Sequence, residues 1–122
     1  MASATVLCID NNPQLFELRK TTLESRGYCV EVASSGDAAV NILKHAPVAA
    51  VLLDYALQGI DPEVVACHIK QQFPDVPIIL LSDCPEVPER TLWLMDDYVM
   101  NGEFPEGLGR VIQRNARSHG TV

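Results

Sequence analysis

The chain of 122 residues is 48% hydrophobic and 20% charged, which is typical of one globular domain and excludes a disordered or fibrous protein. Nine basic and sixteen acidic side chains give a formal net charge of −7, which argues against direct binding to nucleic acid or to an anionic membrane. The sequence contains neither an apolar run of about 18 residues nor a basic segment followed by an apolar one at its start. We therefore expect a cytoplasmic protein with no membrane span and no signal peptide.

The predicted elements alternate between short apolar strands and segments of helical period. In chain order, the predicted pairs of strand and helix are residues 5–9 with 13–26, 28–33 with 36–46, 48–53 with 63–72, 76–81 with 84–95, and 97–100 with 103–117. Five such pairs predict an α/β domain with a parallel sheet, helices on both faces and right-handed crossovers. In such folds the functional site lies at the carboxyl ends of the strands.

The first helix has clear end signals. Asn12 followed by proline is typical of a helix start, and a glycine at position 27 is typical of a helix end. The apolar period predicts Leu15, Leu18 and Thr22 on one side of this helix. In the third helix, the same reasoning places Val64 inward.

Four cysteines are spread along the sequence without a C-x-x-C pair, and no histidine stands at metal-ligand spacing from them. A zinc site is therefore disfavoured. Because the cysteines stand among apolar or helix-forming neighbours, we predict buried, reduced thiols at Cys8, Cys29, Cys67 and Cys84. Trp93 is predicted to be a packing residue of the fourth helix.

Polar side chains follow the predicted strands at the point where each strand ends. They are Asp10 and Asn11, Asp54, Ser82 and Asn101. In a doubly wound sheet these side chains converge on one crevice. Carboxylate and amide oxygens there could hold Mg²⁺, and Asp54 could attack a phosphoryl group to form an aspartyl phosphate.

Four segments in this order resemble the receiver domain of two-component response regulators. They are Val6 to Pro13, Val51 to Asp54, Pro77 to Ser82, and Asp97 to Val99. The resemblance covers essentially the whole chain, and it implies a single receiver-like domain over residues 1–122. It also implies a flavodoxin-like (βα)5 fold with a five-stranded parallel sheet in the strand order 2-1-3-4-5.

The resemblance implies a role for each polar residue. Asp54 matches the phosphoacceptor, Ser82 the hydroxyl that contacts the phosphoryl group, and Tyr98 the aromatic residue that switches rotamer. The implied ligands of Mg²⁺ are Asp10, Asn11, Asp54 and the backbone carbonyl of Ala56.

The sequence departs from the family pattern at five positions. Asn11 replaces the second acidic residue of the metal-binding pair, so Mg²⁺ should bind more weakly. Asn101 stands where the family has its lysine, and it cannot supply that positive charge. Asp83 replaces a small residue and either repels a phosphoryl group or restores a metal ligand. Gln58 and Pro62 replace the usual proline and glycine, so the loop after Asp54 can have a shape of its own.

Two functions from different classes therefore stay open. In the first, a histidine kinase or phosphotransfer protein phosphorylates Asp54, and the signal reaches the face formed by the fourth helix, fifth strand and fifth helix. In the second, the domain is a pseudo-receiver that docks a protein through that face without phosphorylation. A homodimer is compatible with both. An enzyme is disfavoured, because the sequence has no G-x-G-x-x-G or Walker motif, and Ala56 stands where a haloacid-dehalogenase phosphatase needs aspartate.

The negative charge is concentrated in one segment. From Asp83 to Glu106 the sequence has seven acidic residues and one basic residue, Arg90. This segment would form the signalling face of a receiver domain. We therefore predict a protein partner with a basic surface at this segment.

Overall fold

The computed structural model describes residues 4–83, 86–100 and 106–118. The strands are β1 (Thr5–Ile9), β2 (Cys29–Ala33), β3 (Ala50–Asp54), β4 (Ile78–Ser82) and β5 (Asp97–Met100). The helices are α1 (Pro13–Ser25), α2 (Gly36–His45), α3 (Pro62–Gln72), α4 (Glu89–Trp93) and α5 (Glu106–Ser118). The strands form one parallel sheet in the order β2-β1-β3-β4-β5, so the predicted fold is confirmed.

The two faces of the sheet carry separate hydrophobic layers, because successive side chains of a strand point to opposite faces. On one face, alternate residues of the central strands such as Leu7 and Leu53 pack with α2 and α3. On the other face, Cys8 and Leu52 pack in a cluster with Leu23 of α1 and with residues of α5. Strands β3 and β4 are buried along their whole length, as expected for the centre of such a sheet.

Helix α1 begins and ends where the sequence predicts, and one of its two buried residues is charged. The Asn12 side chain accepts a hydrogen bond from the Leu15 backbone N–H, and proline occupies the first turn. Leu18, one of the three residues predicted on one side of this helix, is 66% exposed. The buried residues of α1 are Arg19 and Leu23, which lie one turn apart on the same face. Position 19 therefore brings a charged side chain into the interior.

Some burial predictions need correction. Val64 on α3 is 63% exposed, and Trp93 on α4 is 76% exposed instead of packed. Cys8 is buried as predicted, whereas Cys29 on the edge strand β2 and Cys67 on α3 are exposed. Cys84 lies outside the described residues. The fourth helix is also shorter than predicted, since α4 covers only five residues.

Within the described parts of the chain, no helix is long and apolar enough to cross a membrane.

Candidate functional site

The carboxyl ends of the central strands bring together polar residues that are far apart in sequence. Strand β1 pairs with β3 so that Ile9 lies beside Leu53, and Asp10 and Asp54 follow at the next position. Both aspartates are buried, with exposed fractions of 4% and 5%. They line a cavity of about 800 Å³ that is also bordered by residues of α1 and of the loop after β3. The predicted convergence of these two carboxylates is therefore confirmed.

Strand periodicity explains the direction in which the two carboxylates point. Asp10 follows Cys8 by two positions, and Asp54 follows Leu52 by two, so each shares the sheet face of that residue. This is the face that packs against α1. Side chains on the inner side of α1 therefore meet Asp10 and Asp54.

Arg19 of α1 occupies the space between the two aspartates. Its Nη1 lies 2.9 Å from Oδ2 of Asp10, and its Nη2 lies 2.7 Å from Oδ2 of Asp54. The arginine is itself only 5% exposed. A planar guanidinium with its nitrogens in a fixed fork suits two carboxylates in this arrangement. The site thus has an internal cation, which is held by charge-assisted hydrogen bonds.

Backbone groups bind the remaining oxygens of the pair. The Asn12 N–H donates to Oδ1 of Asp10 at 2.9 Å, and the Ala56 N–H donates to Oδ1 of Asp54 at 2.8 Å. Each of the four carboxylate oxygens therefore accepts a hydrogen bond from within the chain. Both carboxylates are fixed in orientation as a result.

Asn11 connects the two loops that border the cavity. It is exposed, and its side-chain Nδ2 donates to the backbone carbonyl of Gln58 at 2.6 Å. The loop after β3 turns at Gly59, whose φ of +71° favours glycine. It ends where Asp61 caps α3 and Pro62 begins that helix. Gln58 and Pro62 are the two departures from the family pattern in this loop. Gln58 supplies the carbonyl that accepts from Asn11, and Pro62 begins α3.

The other predicted site residues surround this pair at different depths. Ser82 is buried at the end of β4, while its exposed neighbour Asp83 lines the cavity. Tyr98 is half-buried on β5 and packs against the cluster that includes Leu80. Asn101, at the lysine position of the family, lies outside the described residues. The functional roles of Ser82, Asp83 and Tyr98 stay predictions.

Sequence reasoning did not find Arg19, although the sequence contains a signal for it. Arg19 lies four positions after Leu15 and four before Leu23, on the inward face of an amphipathic helix. A charged residue on such a face needs a buried partner. The carboxylates of Asp10 and Asp54, which point to the same face by strand parity, are the partners that the structure supplies.

The model of the response regulator receiver domain matches residues 6–99, which is most of the chain. The chain belongs to this family. Receiver domains are signalling modules of two-component systems, and this match places the chain among them. The order of the strands and helices agrees with that assignment.

Curated relatives are longer response regulators. An NtrX-like response regulator of Rickettsia felis is 34% identical over 67% of this chain and 18% of its own length. The ycf27 transcriptional regulator of Guillardia theta is 32% identical over 84% of this chain and 41% of its own length. The chain therefore spans less than half the length of these relatives.

Solved receiver structures share the fold over nearly the whole chain. The response regulator TrrA of Thermotoga maritima, in a complex with Mg²⁺ and BeF, is 26% identical with a TM-score of 0.80. That match covers 92% of this chain and 98% of TrrA. The receiver domain of a Pseudomonas aeruginosa sensor histidine kinase has a magnesium ion in its active site cleft. It is 27% identical with a TM-score of 0.82, over 95% of this chain and 99% of its own. TrrA is also solved in complex with the histidine kinase ThkA.

The magnesium site of these relatives does not fit the arrangement in this chain. Asp10 and Asp54, at the ends of β1 and β3, are engaged by Arg19, which donates to one oxygen of each. Among the described residues, no group of three or more histidine, cysteine or acidic side chains could hold a metal ion. Asn11, an expected ligand, is uncharged, and its Nδ2 donates to the backbone carbonyl of Gln58, so the side chain could offer a metal only its neutral Oδ1. The guanidinium of Arg19 thus lies where Mg²⁺ would have to bind.

Proposed function

We propose that this receiver domain acts in its two-component pathway as a docking module without a phosphorylation cycle at Asp54. The single observation that supports this most is the pair of hydrogen bonds from Arg19 to Asp10 and Asp54. Arg19 and the Ala56 N–H each donate to one oxygen of Asp54, and these hydrogen bonds lower the nucleophilicity of the carboxylate while the guanidinium obstructs the approach of a phosphoryl group. On this proposal residues 1–122 form one receiver unit with no turnover of a small substrate.

The proposed docking face comprises α4, β5 and α5. Trp93 is largely exposed on α4, and its neighbour Leu92 is 37% exposed. Exposed tryptophan is the type of residue that carries binding energy in protein interfaces. The acidic Glu86 and Glu89 are exposed in the same segment. The partner that fits this combination is a protein with an apolar pocket inside a basic surface.

Internal ion pairs reduce the acidic excess that the sequence suggests at this face. Lys70 of α3 pairs with Asp96 at 2.5 Å, and Arg114 of α5 pairs with Asp97. These two carboxylates are thus matched within the domain. Exposed acidic side chains of this segment include Asp83, Glu86 and Glu89, while Glu103 lies outside the described residues. The basic surface that we propose for the partner should therefore face the part of the chain that leads into α4.

Phosphoryl transfer to Asp54 is the second candidate function. The observation that favours it is the large cavity at the strand ends, which Asp54 and Ala56 line together. A histidine kinase or phosphotransfer protein would be the donor, as the complex of TrrA with ThkA suggests. Asp10, Asn11, Asp54 and the backbone carbonyl of Ala56 would then hold Mg²⁺, which would neutralise the charge of the phosphoryl group. Ser82 and Tyr98 would transmit the change to the signalling face. This function requires Arg19 to leave both carboxylates first.

Intact-mass spectrometry after incubation with Mg²⁺ and a small phosphodonor separates the two functions. We expect no phosphoryl adduct on the wild-type chain, while TrrA under the same conditions serves as the positive control. Asp54→Asn is the matched variant. An adduct on the wild type that is missing in Asp54→Asn would contradict the docking proposal and establish Asp54 as the acceptor.

A further inference from the structure

We propose that the guanidinium of Arg19 takes the place of the divalent cation and keeps Mg²⁺ out of the site. The inference deepens the docking function proposed above, and its biological meaning rests on that function. It concerns a residue in helix α1 that the family pattern does not mark. What it assigns is a resident counter-ion, supplied by the chain itself, for the Asp10 and Asp54 pair.

The position of the guanidinium supports this assignment. It contacts one oxygen of Asp10 and one of Asp54, at 2.9 and 2.7 Å, and thus bridges the two carboxylates. These are the two acidic residues that the family resemblance assigns to the metal. A divalent ion held by these residues would supply positive charge to the same two carboxylates. Arg19 meets the same electrostatic need with two nitrogens.

The surroundings of Arg19 hold it in this position. The helix that carries it is fixed on the sheet by Leu23, which is 1% exposed. On the sheet side, the backbone donors Asn12 and Ala56 fix the second oxygen of each carboxylate. If either aspartate rotated toward a metal, it would lose its hydrogen bond from Arg19 and its hydrogen bond from a backbone N–H. The guanidinium, in turn, would lose these two carboxylate partners while it is buried if both side chains turned away.

Charge also opposes the entry of Mg²⁺. A divalent cation beside the guanidinium would add a like charge at short distance in a poorly solvated place. The remaining carboxylate at the cavity, Asp83, is exposed and therefore well hydrated. Mg²⁺ dehydrates reluctantly and needs near-octahedral oxygen coordination. Binding would therefore require displacement of Arg19 first.

Paramagnetic broadening by Mn²⁺, followed by competition with Mg²⁺, tests the proposal on the full chain. With uniformly ¹⁵N-labelled wild type, we expect no site-specific loss of the amide signals of Asp10, Asp54 and Ala56 at submillimolar Mn²⁺. In Arg19→Leu these signals should broaden at Mn²⁺ concentrations at least about tenfold lower, and Mg²⁺ should restore them. Arg110→Leu, which removes an exposed arginine on α5, is the control and should behave as the wild type.

Stability supplies a second readout. Arg19→Leu should unfold at a lower temperature than the wild type, and Mg²⁺ should raise the unfolding temperature of this variant alone. If Arg19→Leu does not fold, Arg19→Lys keeps the charge but loses the fork, and it should bind Mn²⁺ between the two extremes. Strong Mn²⁺ broadening of the site in the wild type would overturn the proposal by itself. Because neither readout uses a phosphodonor or a partner, that result would leave the docking function to its own test.

Discussion

Arg19 ties three elements together through one side chain. It stands on α1, while Asp10 follows β1 and Asp54 ends β3, so the bridge spans 9 and 35 residues of sequence. All three side chains are almost fully buried. Removal of one member of a buried ion pair leaves an uncompensated charge, which costs about 3–5 kcal/mol. The residue that decides what the site can bind is therefore also a main determinant of its stability.

Cys8 is a buried neutral residue in the same region, and its thiol has a raised pKa. It is buried on β1, and burial raises the pKa of its thiol from 9.0 to about 12, with the Arg19 charge opposing that rise. The raised pKa means that the folded state keeps the thiol protonated while the unfolded chain ionises. The contribution of this group to stability is thus complete below about pH 9 and is lost as the pH rises toward 12.

Alkylation at pH 8 tests this description. We expect iodoacetamide to modify Cys29 and Cys67 quickly and Cys8 only after unfolding, since thiolate formation and access both control the reaction. Peptide mapping by mass spectrometry identifies the modified positions. Rapid labelling of Cys8 in the folded protein would contradict its burial on β1.

Urea unfolding above pH 9 provides a second test. The stability of the wild type should decline as the pH rises, and Cys8→Ala should lose part of this decline, up to about 1.4 kcal/mol per pH unit.

At the residue scale, the sequence predicted where residues lie along the strands better than it predicted which side chains are buried. Asp10, Asp54 and Ser82 stand where strand ends place them, because the apolar runs before them are unambiguous. Leu18 is apolar but exposed, whereas the charged Arg19 next to it is buried. An apolar side chain loses little by exposure, while an arginine can be buried only if the fold supplies carboxylates. That condition depends on three elements meeting, which no local pattern describes.

At the scale of elements, α4 depends on α3 for its position. It has five residues and no side-chain cap at its start, so its own hydrogen bonds stabilise it little. The buried Thr91 donates its hydroxyl to Oε2 of Glu63 at 2.8 Å, and Arg90 lies 3.5 Å from Oε1 of the same carboxylate. Glu63 of α3 therefore anchors the short helix that presents Trp93.

Thr91→Val removes this anchor with little change in shape. The variant should lose about 1–3 kcal/mol of unfolding free energy, because the buried hydroxyl donates to a charged acceptor. Urea unfolding followed by circular dichroism measures the loss. Thr21→Val, at an exposed position of α1, is the control and should change stability by less than about 0.5 kcal/mol. Equal stability of the two variants would mean that the hydroxyl does not anchor α4.

The sequence predicted the central elements closely and the fourth helix poorly. Asn12, Gly27 and the wholly apolar β3 and β4 mark their elements by local chemistry, and the structure agrees to within a few residues. The segment before α4 contains two prolines, and α4 is held by a contact 28 residues away. Because its stability comes from tertiary contacts, its length and the exposure of Trp93 could not be read from its own residues.

At the scale of the whole molecule, part of the acidic excess is paired with basic residues inside the domain. The sequence placed seven of its sixteen acidic residues between Asp83 and Glu106. The fold matches Asp96 and Asp97 with bases from α3 and α5. Asp96 also accepts the backbone N–H of Ile78 at 2.7 Å, so this pair supports the sheet. The acidic excess therefore serves two purposes, internal support and surface charge.

Charge reversal at the docking face tests the proposed partner chemistry. Glu86→Lys with Glu89→Lys should weaken capture of the partner protein from cell extract, and raised salt should weaken capture by the wild type. Glu17→Lys with Glu24→Lys on α1 makes the same change in net charge and should leave capture intact. Asp54→Asn should also retain it. A basic partner surface would be contradicted if salt does not change capture by the wild type and if the Glu86→Lys, Glu89→Lys variant captures the partner as well as the wild type.

The attachment of Arg19 to the chain has one more consequence for the site. A free ion binds according to its concentration in solution, whereas a tethered group has an effective concentration that geometry sets. Arg19 lies nine residues from Asp10, on a helix packed against the same sheet. Dilution or a chelator can therefore not strip this cation from the two carboxylates. The strand ends should keep one arrangement over the whole range of divalent ion levels that a cell experiences.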